Sequence, residues 1–171
     1  IALYIVLNNM TKPEAVAEKY FNATMSYDLD AVYSFLDVSE SKFTTKEVFK
    51  KINEKEEEEE LPKVINYTVG KPLQSVDGLS ATVTITYILD GEKDSETADI
   101  KLAKSKDKKW FLFDNWKVNV TGNDTVKGYK IEVMKDSKVT VEGIEVDKKY
   151  IDKDESDDEV DVYSMPAMFT T

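Results

Sequence analysis

The spacing of apolar residues changes its period near Pro62, and this change limits the folds open to the chain more than any other feature. Residues 13–52 repeat apolar side chains at helical spacing, whereas residues 81–89 alternate apolar residues with threonine, as in a half-buried strand. Helices that precede an antiparallel sheet, instead of alternating with its strands, are typical of α+β proteins. We therefore predict an α+β fold whose N-terminal helices cover one face of an antiparallel sheet.

Three helices are predicted before the change of period. The first opens at Pro13, a residue that the first helical turn tolerates well. The second is capped by Asp28 or Asp30, because either carboxylate can accept a free backbone N–H at a helix start. The third starts at Thr44, where Thr44 and Glu47 have the spacing of a capping box.

Four strands follow and are expected to form a meander. They are predicted at residues 64–69, 81–89, 98–102 and 110–120. The last one is expected to begin at Trp110 and to carry a bulge at Asp114 and Asn115 before it continues from Trp116.

The remainder of the chain, beyond a boundary at residues 122–124, is predicted to be a small β module. Its short strands are expected at residues 129–134, 138–141, 144–146 and 160–164. The sequence thus divides into an apolar segment at 1–10, an α+β domain at 11–120 and a small β module with an acidic loop at 121–171. The apolar stretch at 165–169 has no obvious partner strand after it, so we expect this module to be truncated.

The segment from Ile1 to Leu7 is uninterrupted by polar residues and has three interpretations. It is the outer end of a transmembrane helix, the remnant of an uncleaved signal segment, or a buried strand or helical turn. Seven residues are too few to cross a bilayer, which needs about 20 apolar residues. The polar break at residues 8–13 favours the first interpretation, because a membrane segment ends in this way before a soluble domain.

Missing residue types exclude several classes of chemistry. The 171 residues include no Cys and no His, and all 23 basic residues are Lys. Disulfides, thiolate zinc sites and thiol catalysis are therefore excluded, and the commonest general base is absent. Bidentate guanidinium contacts to phosphate or carboxylate are absent as well. We expect no cofactor.

An acidic loop at residues 152–161 is the nearest approach to a metal site. Oxygen ligands alternate from Asp152, as in the first half of a calcium loop. The sixth position holds Asp157 where that loop needs glycine, and the twelfth holds Tyr163 where it needs glutamate. We interpret the loop as solvated and expect no metal.

The net charge of −11 opposes contact with nucleic acid and, at long range, with anionic lipid surfaces. The densest basic cluster consists of five lysines within residues 101–109, around a predicted turn. We interpret it as a solvated turn. Partners are accordingly expected to exclude nucleic acid, and membrane contact is expected only through an N-terminal anchor.

Three stretches carry a resemblance to a known family: Pro-Glu-Ala-Val-Ala-Glu-Lys-Tyr-Phe at 13–21, Tyr-Asp-Leu-Asp-Ala-Val-Tyr-Ser-Phe-Leu at 27–36, and Trp-Phe-Leu-Phe-Asp-Asn-Trp-Lys-Val at 110–118. In this order they resemble the nuclear transport factor two-like superfamily, which includes ketosteroid isomerase and the SnoaL cyclases. They look most like its extracytoplasmic members in Gram-positive bacteria, such as the teicoplanin-resistance-associated membrane proteins. The resemblance covers residues 11–120 and implies a cone of curved sheet wrapped over helices.

A shared fold does not transmit function, and no catalytic position of the isomerases is matched here residue by residue. Asp99 is the one acid well inside a predicted strand, and alternation directs it to solvent. The candidates for lining a ligand pocket in the cone are aromatic, although each also suits core packing: Tyr20, Tyr27, Tyr87, Trp110 and Trp116.

The leading hypothesis is a non-enzymatic extracytoplasmic domain of a membrane-anchored bacterial protein, a spacer or binding module near the cell envelope. Its partner would be an unidentified protein or a cell-wall component. The alternative is a small-molecule binder or isomerase-like enzyme that uses the cone cavity. A third hypothesis is a homodimer formed through the open sheet face.

Overall fold

The structure of the chain is a computed structural model that describes residues 2–54, 61, 63–119 and 125–169. These residues form a mixed fold of four helices and mostly antiparallel sheet, so the predicted α+β class is confirmed. The chain divides into two units, Ile1–Asp37 with Asn53–Asn119 (unit 1) and Val38–Ile52 with Val120–Thr171 (unit 2). Residues 38–52, which the sequence analysis places in the domain at 11–120, belong to unit 2. The predicted boundary at 122–124 lies outside the described residues.

The described helices are α1 (Ala2–Met10), α2 (Pro13–Met25), α3 (Leu29–Phe35) and α4 (Lys46–Ile52). Helix α2 has Pro13 in its first turn, as predicted. Asp28 caps α3, because its side chain accepts a hydrogen bond of 3.0 Å from the backbone N–H of Ala31. Asp28 thus provides the cap for which the sequence also offered Asp30.

Helix α1 contains no buried residue, so the interpretation of this segment as a buried strand or turn is wrong. Thr11 closes its C-terminal end by donating a hydrogen bond of 3.0 Å to the carbonyl of Asn8. No helix among the described residues is long and apolar enough to cross a membrane.

Unit 1 contains one six-stranded sheet, formed by β1 (Leu36–Asp37), β2 (Val64–Val69), β3 (Leu73–Gln74), β4 (Ser80–Leu89), β5 (Glu96–Lys104) and β6 (Trp116–Asn119). The strand order is β1-β6-β5-β4-β2, with β3 paired to β4. The predicted meander is therefore confirmed in β2, β4, β5 and β6. Strand β1 was not predicted, and it pairs in parallel with β6, so that Leu36 lies opposite Val118. Helix α3 ends at Phe35 because Leu36 has extended backbone.

The core of unit 1 lies between the helices and one face of the sheet. Helix α2 contacts β2, β4, β5 and β6, and α3 contacts β6. The buried apolar side chains alternate along the strands, as the sequence pattern predicts, and the members on the sheet are Ala81, Val83, Ile85, Ile100, Leu102, Trp116 and Val118. Asp99 is exposed on the opposite face, also as expected.

The predicted start of the last strand at Trp110 is wrong. Residues 110–112 form a tight turn, closed by two backbone hydrogen bonds between Lys109 and Phe113 of 2.9 and 3.0 Å. Trp110 and Phe111 both adopt left-handed backbone, with φ of 48° and 64°. Such conformations cost on the order of 1–3 kcal/mol each for residues other than glycine. Strand propensity, which is high for aromatic residues, therefore gives the wrong answer at this turn.

Unit 2 consists of α4 and short strand pairs formed by β7 (Thr125–Val126), β8 (Lys130–Met134), β9 (Thr140–Val141), β10 (Ile144–Glu145), β11 (Val160–Ser164) and β12 (Met168–Phe169). The antiparallel pairs are β8–β11, β9–β10 and β7–β12. All four strands predicted beyond the boundary are present, with shifts of one or two residues at several ends. The apolar C-terminal stretch does have a partner, since Phe169 lies opposite Thr125.

The core of unit 2 is formed by Phe43, in the loop before α4, and by residues of the strands and loops at 139–165. Phe43, Tyr163 and Met165 are buried together with Val139 and Val146. An aromatic contact joins α4 to β12, with 5.3 Å between the ring centroids of Phe49 and Phe169.

The cap of α4 lies one residue later than the capping box predicted at Thr44. Thr45 caps α4, because its hydroxyl accepts a hydrogen bond of 3.3 Å from the N–H of Val48. Thr44 is buried instead, and its hydroxyl donates to the carbonyl of Ser39 at 2.7 Å. Sequence alone does not distinguish the two adjacent threonines as helix caps. The hydrogen bond to Ser39, in the loop before the helix, engages Thr44 and leaves Thr45 as the cap.

Candidate functional site

A cleft of about 200 Å³ in unit 1 brings together three lysines that are far apart in sequence. Lys19 comes from α2, Lys109 from the turn before β6, and Lys117 from β6 itself. We call this the lysine cleft. Its remaining walls are Thr11, Val16, Ser34, Phe35, Asp114, Asn115 and Trp116.

Lys117 is fixed at the C-terminal end of α3. Its Nζ donates a hydrogen bond of 2.7 Å to the backbone carbonyl of Ser34, in the last turn of that helix. A cation is favoured at this end of a helix, because the last carbonyl groups carry partial negative charge and lack helical partners. The orientation of Lys117 is therefore set by backbone and not by a neighbouring acid.

Lys109 is held by the tight turn that it begins. Its backbone pairs with Phe113, and its Nζ lies 5.3 Å from the centroid of the Trp110 ring. The side chain is half-buried. The strained turn thus places one ammonium group at the cleft and leaves it partly removed from water.

Lys109 is repelled by the other two lysines of the cleft. Burial lowers the pKa of Lys109, and the positive charges of Lys19 and Lys117 lower it further. A lysine whose pKa is lowered in the folded state is less stable in its charged form there than in the unfolded chain. The fold therefore holds these charges together at a cost in stability.

The acidic residue of the cleft is already engaged by other lysines. Asp114 accepts hydrogen bonds from Lys108 and Lys104, with Lys104 Nζ 3.0 Å from Oδ2. The hydrogen bond from Lys108 is the largest cause that lowers the pKa of Asp114, followed by that from Lys104. Asp114 is thus neutralised by these two lysines, and Lys19, Lys109 and Lys117 give the cleft a positive charge.

Of the five predicted pocket residues, only Trp116 lines the lysine cleft. Trp116 is 5% exposed and lies under Lys104, whose Nζ is 5.0 Å from the ring centroid. The ring of Trp110 lies edge-on to that of Phe113, with 6.2 Å between the two ring centroids.

The three tyrosine candidates are not among the residues that line this cleft. Tyr20 packs edge-on against Phe35 at 6.4 Å between ring centroids. Tyr27 follows α2 in left-handed backbone with φ of 56°. The hydroxyl of Tyr87 donates a hydrogen bond of 2.7 Å to Glu96 at an exposed position, and this bond raises the pKa of Tyr87.

A second tyrosine–carboxylate hydrogen bond joins β2 to α2. The hydroxyl of Tyr67 donates to Glu18 at 2.9 Å and accepts from the amide of Asn22 at 3.2 Å. The enzyme alternative stays a prediction. Among the described residues, no group of three or more acidic side chains is arranged to hold a metal ion.

Sequence reasoning did not identify Lys19 and Lys117, and it interpreted Lys109 as part of a solvated turn. No local signal marks the three residues as a set, because they meet only once α2 and the hairpin between β5 and β6 are packed. The one available hint is the density of lysine at 101–109 in an acidic chain.

Comparisons with protein-family models, with curated proteins and with solved structures give no match to this chain. The assignment of function therefore depends on the geometry of the cleft.

Proposed function

We propose that unit 1 is a binding module that holds an anionic group, a phosphate or a carboxylate, in the lysine cleft. The observation that supports this is the convergence of three lysine side chains on one cleft in a chain of net charge −11. A bound anion offsets the repulsion that Lys109 experiences from Lys19 and Lys117, because opposite charges attract.

The volume of the cleft limits the size of the ligand that it can enclose. Sites for whole small-molecule ligands usually enclose about 300–1,000 Å³, and this cleft has about 200 Å³. It suits a single phosphate or carboxylate group, with the rest of a larger molecule outside. Such a ligand matches the cell-envelope partner that the sequence analysis expects.

The use of lysine instead of arginine determines how selectively the cleft recognises an anion. An ammonium group is a compact charge without the planar fork that reads anion geometry. We therefore expect recognition by charge more than by shape, and an affinity that falls as the salt concentration rises.

Titration of the full chain with inorganic phosphate at constant ionic strength tests the proposal. Backbone amide resonances near Lys109 and Trp116 are expected to shift in a saturable way, followed by nuclear magnetic resonance. The substitution Lys109→Met should weaken phosphate binding roughly tenfold, because one hydrogen bond to a charged group contributes about 1.5–3 kcal/mol. Lys93→Met, in the exposed loop after β4, is the matched control and should bind as the wild type does.

Two outcomes would contradict the proposal. One is a linear, unsaturable response to phosphate. The other is equal affinity in Lys109→Met and Lys93→Met, which would mean that the cleft lysines do not contact the anion.

We also propose that the module is a non-enzymatic, extracytoplasmic part of a membrane-anchored bacterial protein, with unit 1 as a cone of the nuclear transport factor two-like type and unit 2 as a small β module. The family resemblance and the apolar, unburied surface of α1 support this placement. Fractionation of the native host cells should recover the protein with the envelope, and recovery in the cytosol alone would refute it.

A further inference from the structure

The turn at 110–112 presents three consecutive apolar side chains to solvent. Trp110 is 47% exposed, Phe111 96% and Leu112 74%. The left-handed backbone at Trp110 and Phe111 produces this arrangement at a cost in strain. Exposure of large apolar residues in a group, unlike scattered exposure, marks an interaction surface.

Helix α1 extends the same apolar surface. The ring of Tyr4 packs on the ring of Phe113 at 5.2 Å between centroids, and the ring of Trp110 also contacts that of Phe113, at 6.2 Å. Leu3, Tyr4, Ile5 and Val6 are each more than half exposed. We call the side chains of 110–112 and these four residues of α1 the apolar patch.

Lysines surround the turn side of the apolar patch. Outside the lysine cleft, residues 101–108 contain four lysines and one aspartate, a local charge of +3 in a chain of −11. Lys106 and Lys108 are exposed. Because charges more than about 10 Å away are largely screened at 0.1 M salt, the local charge decides what this surface attracts at contact.

We propose that the apolar patch docks on an anionic lipid bilayer, with Trp110, Phe111 and Leu112 inserted at the headgroup boundary and the lysines in contact with the headgroups. Tryptophan is enriched at that boundary because its ring is apolar with one polar edge. Apolar side chains beside lysines are the usual combination of surface-bound membrane segments.

A second copy of the chain is a poorer occupant. In a two-fold symmetric dimer the same patch meets itself, so the lysines of one copy would face those of the other. An anionic bilayer matches both the apolar tip and the positive surround. The proposal is independent of the anion in the lysine cleft, and it adds a contact to the single N-terminal anchor that the sequence predicts.

Co-sedimentation of the full chain with vesicles tests the proposal. Binding is expected to vesicles of phosphatidylcholine mixed with phosphatidylglycerol, and to fall strongly on phosphatidylcholine alone. Phe111→Ser should lower the apparent affinity roughly tenfold or more, since burial of a large apolar side chain is lost. The matched control is Ile65→Ser, an exposed apolar residue on β2, which should bind as the wild type does.

The contribution of lysine charge to vesicle binding and the insertion of Trp110 into the bilayer are measured in separate experiments. Lys106→Gln should weaken vesicle binding about fivefold, the contribution of one lysine near an anionic surface, whereas Lys93→Gln should have no effect. Lipids brominated in the acyl chain should quench the fluorescence of Trp110, and Trp110→Phe should remove that quenching because Trp116 is buried.

Three outcomes would overturn the proposal: equal binding to both vesicle types, equal loss in Phe111→Ser and Ile65→Ser, or concentration-dependent dimers that Phe111→Ser abolishes while no vesicle binding is seen. Phe111→Ser should leave the phosphate titration unchanged. Failure of this proposal and failure of the anion-binding proposal are therefore distinguishable.

Discussion

The buried carboxylate of Asp161 organises one turn of unit 2. Asp161 is 2% exposed, yet its Oδ2 accepts a hydrogen bond of 2.9 Å from the backbone N–H of Asp136, and Lys135 Nζ lies 3.1 Å from Oδ1. The turn needs this support, because Asp136 has left-handed backbone with φ of 59°. The backbone hydrogen bond is the largest cause that lowers the pKa of Asp161, and the contact with Lys135 is the next.

We expect Asp161 to give unit 2 part of its resistance to acid. A carboxyl group whose pKa is lowered on folding stabilises the fold above its ordinary pKa of 3.8. That contribution is lost as the pH falls from there through the lower, folded-state pKa. Asp161→Asn should therefore lower the Tm at neutral pH and flatten the acid side of the curve of Tm against pH.

Thermal unfolding measured across acidic pH checks this expectation. Asp158→Asn, an exposed neighbour in the acidic loop, is the matched control. If the curves of Asp161→Asn and wild type run parallel through the acid range, Asp161 does not have this role.

At the scale of elements, the spacing of apolar residues predicts the individual helices and strands but not how distant elements pair. Strand β4 and helix α2 were predicted because burial on one face leaves a repeat of two or of about 3.6 residues in the sequence. The pairing of β1 with β6 joins residues more than 80 positions apart, so no local repeat encodes it. Likewise, the membership of α4 in unit 2 depends on contacts such as Phe49 with Phe169.

The turn at 110–112 illustrates a different limit of prediction. The sequence Trp-Phe-Leu-Phe has the composition of a buried strand, and its residues carry high strand propensity. The structure instead places Phe113 in the core and exposes the three residues before it. Local preference and observed structure disagree at this turn, and such disagreement is expected where a segment serves a function that costs stability.

At the scale of the whole molecule, the net charge is negative whereas the charge of the lysine cleft is positive. The acidic total of −11 predicts repulsion of nucleic acid and, at long range, of anionic lipid surfaces. It does not describe the lysine cleft, where residues from α2, β6 and the turn before β6 meet. The fold class could be predicted from the sequence, but the candidate site could not, because its lysines converge only through tertiary packing.

The lysine cleft also implies a trade between stability and binding. Repulsion among Lys19, Lys109 and Lys117 destabilises the unoccupied protein, and a bound anion removes that cost. Exposed charges are screened by solvent, so the effect is modest. Removal of one lysine should therefore stabilise the fold while weakening the site.

The most direct test is the Tm of wild type and Lys109→Met, measured with and without inorganic phosphate at constant ionic strength. Without phosphate, Lys109→Met should unfold up to about 3 °C higher than wild type, the shift that a change below about 1 kcal/mol produces in a protein of this size. At phosphate ten times the wild-type Kd, wild type should gain about 1.4 kcal/mol and the variant much less. A variant that is less stable than wild type, or that keeps the full gain from phosphate, would contradict the account.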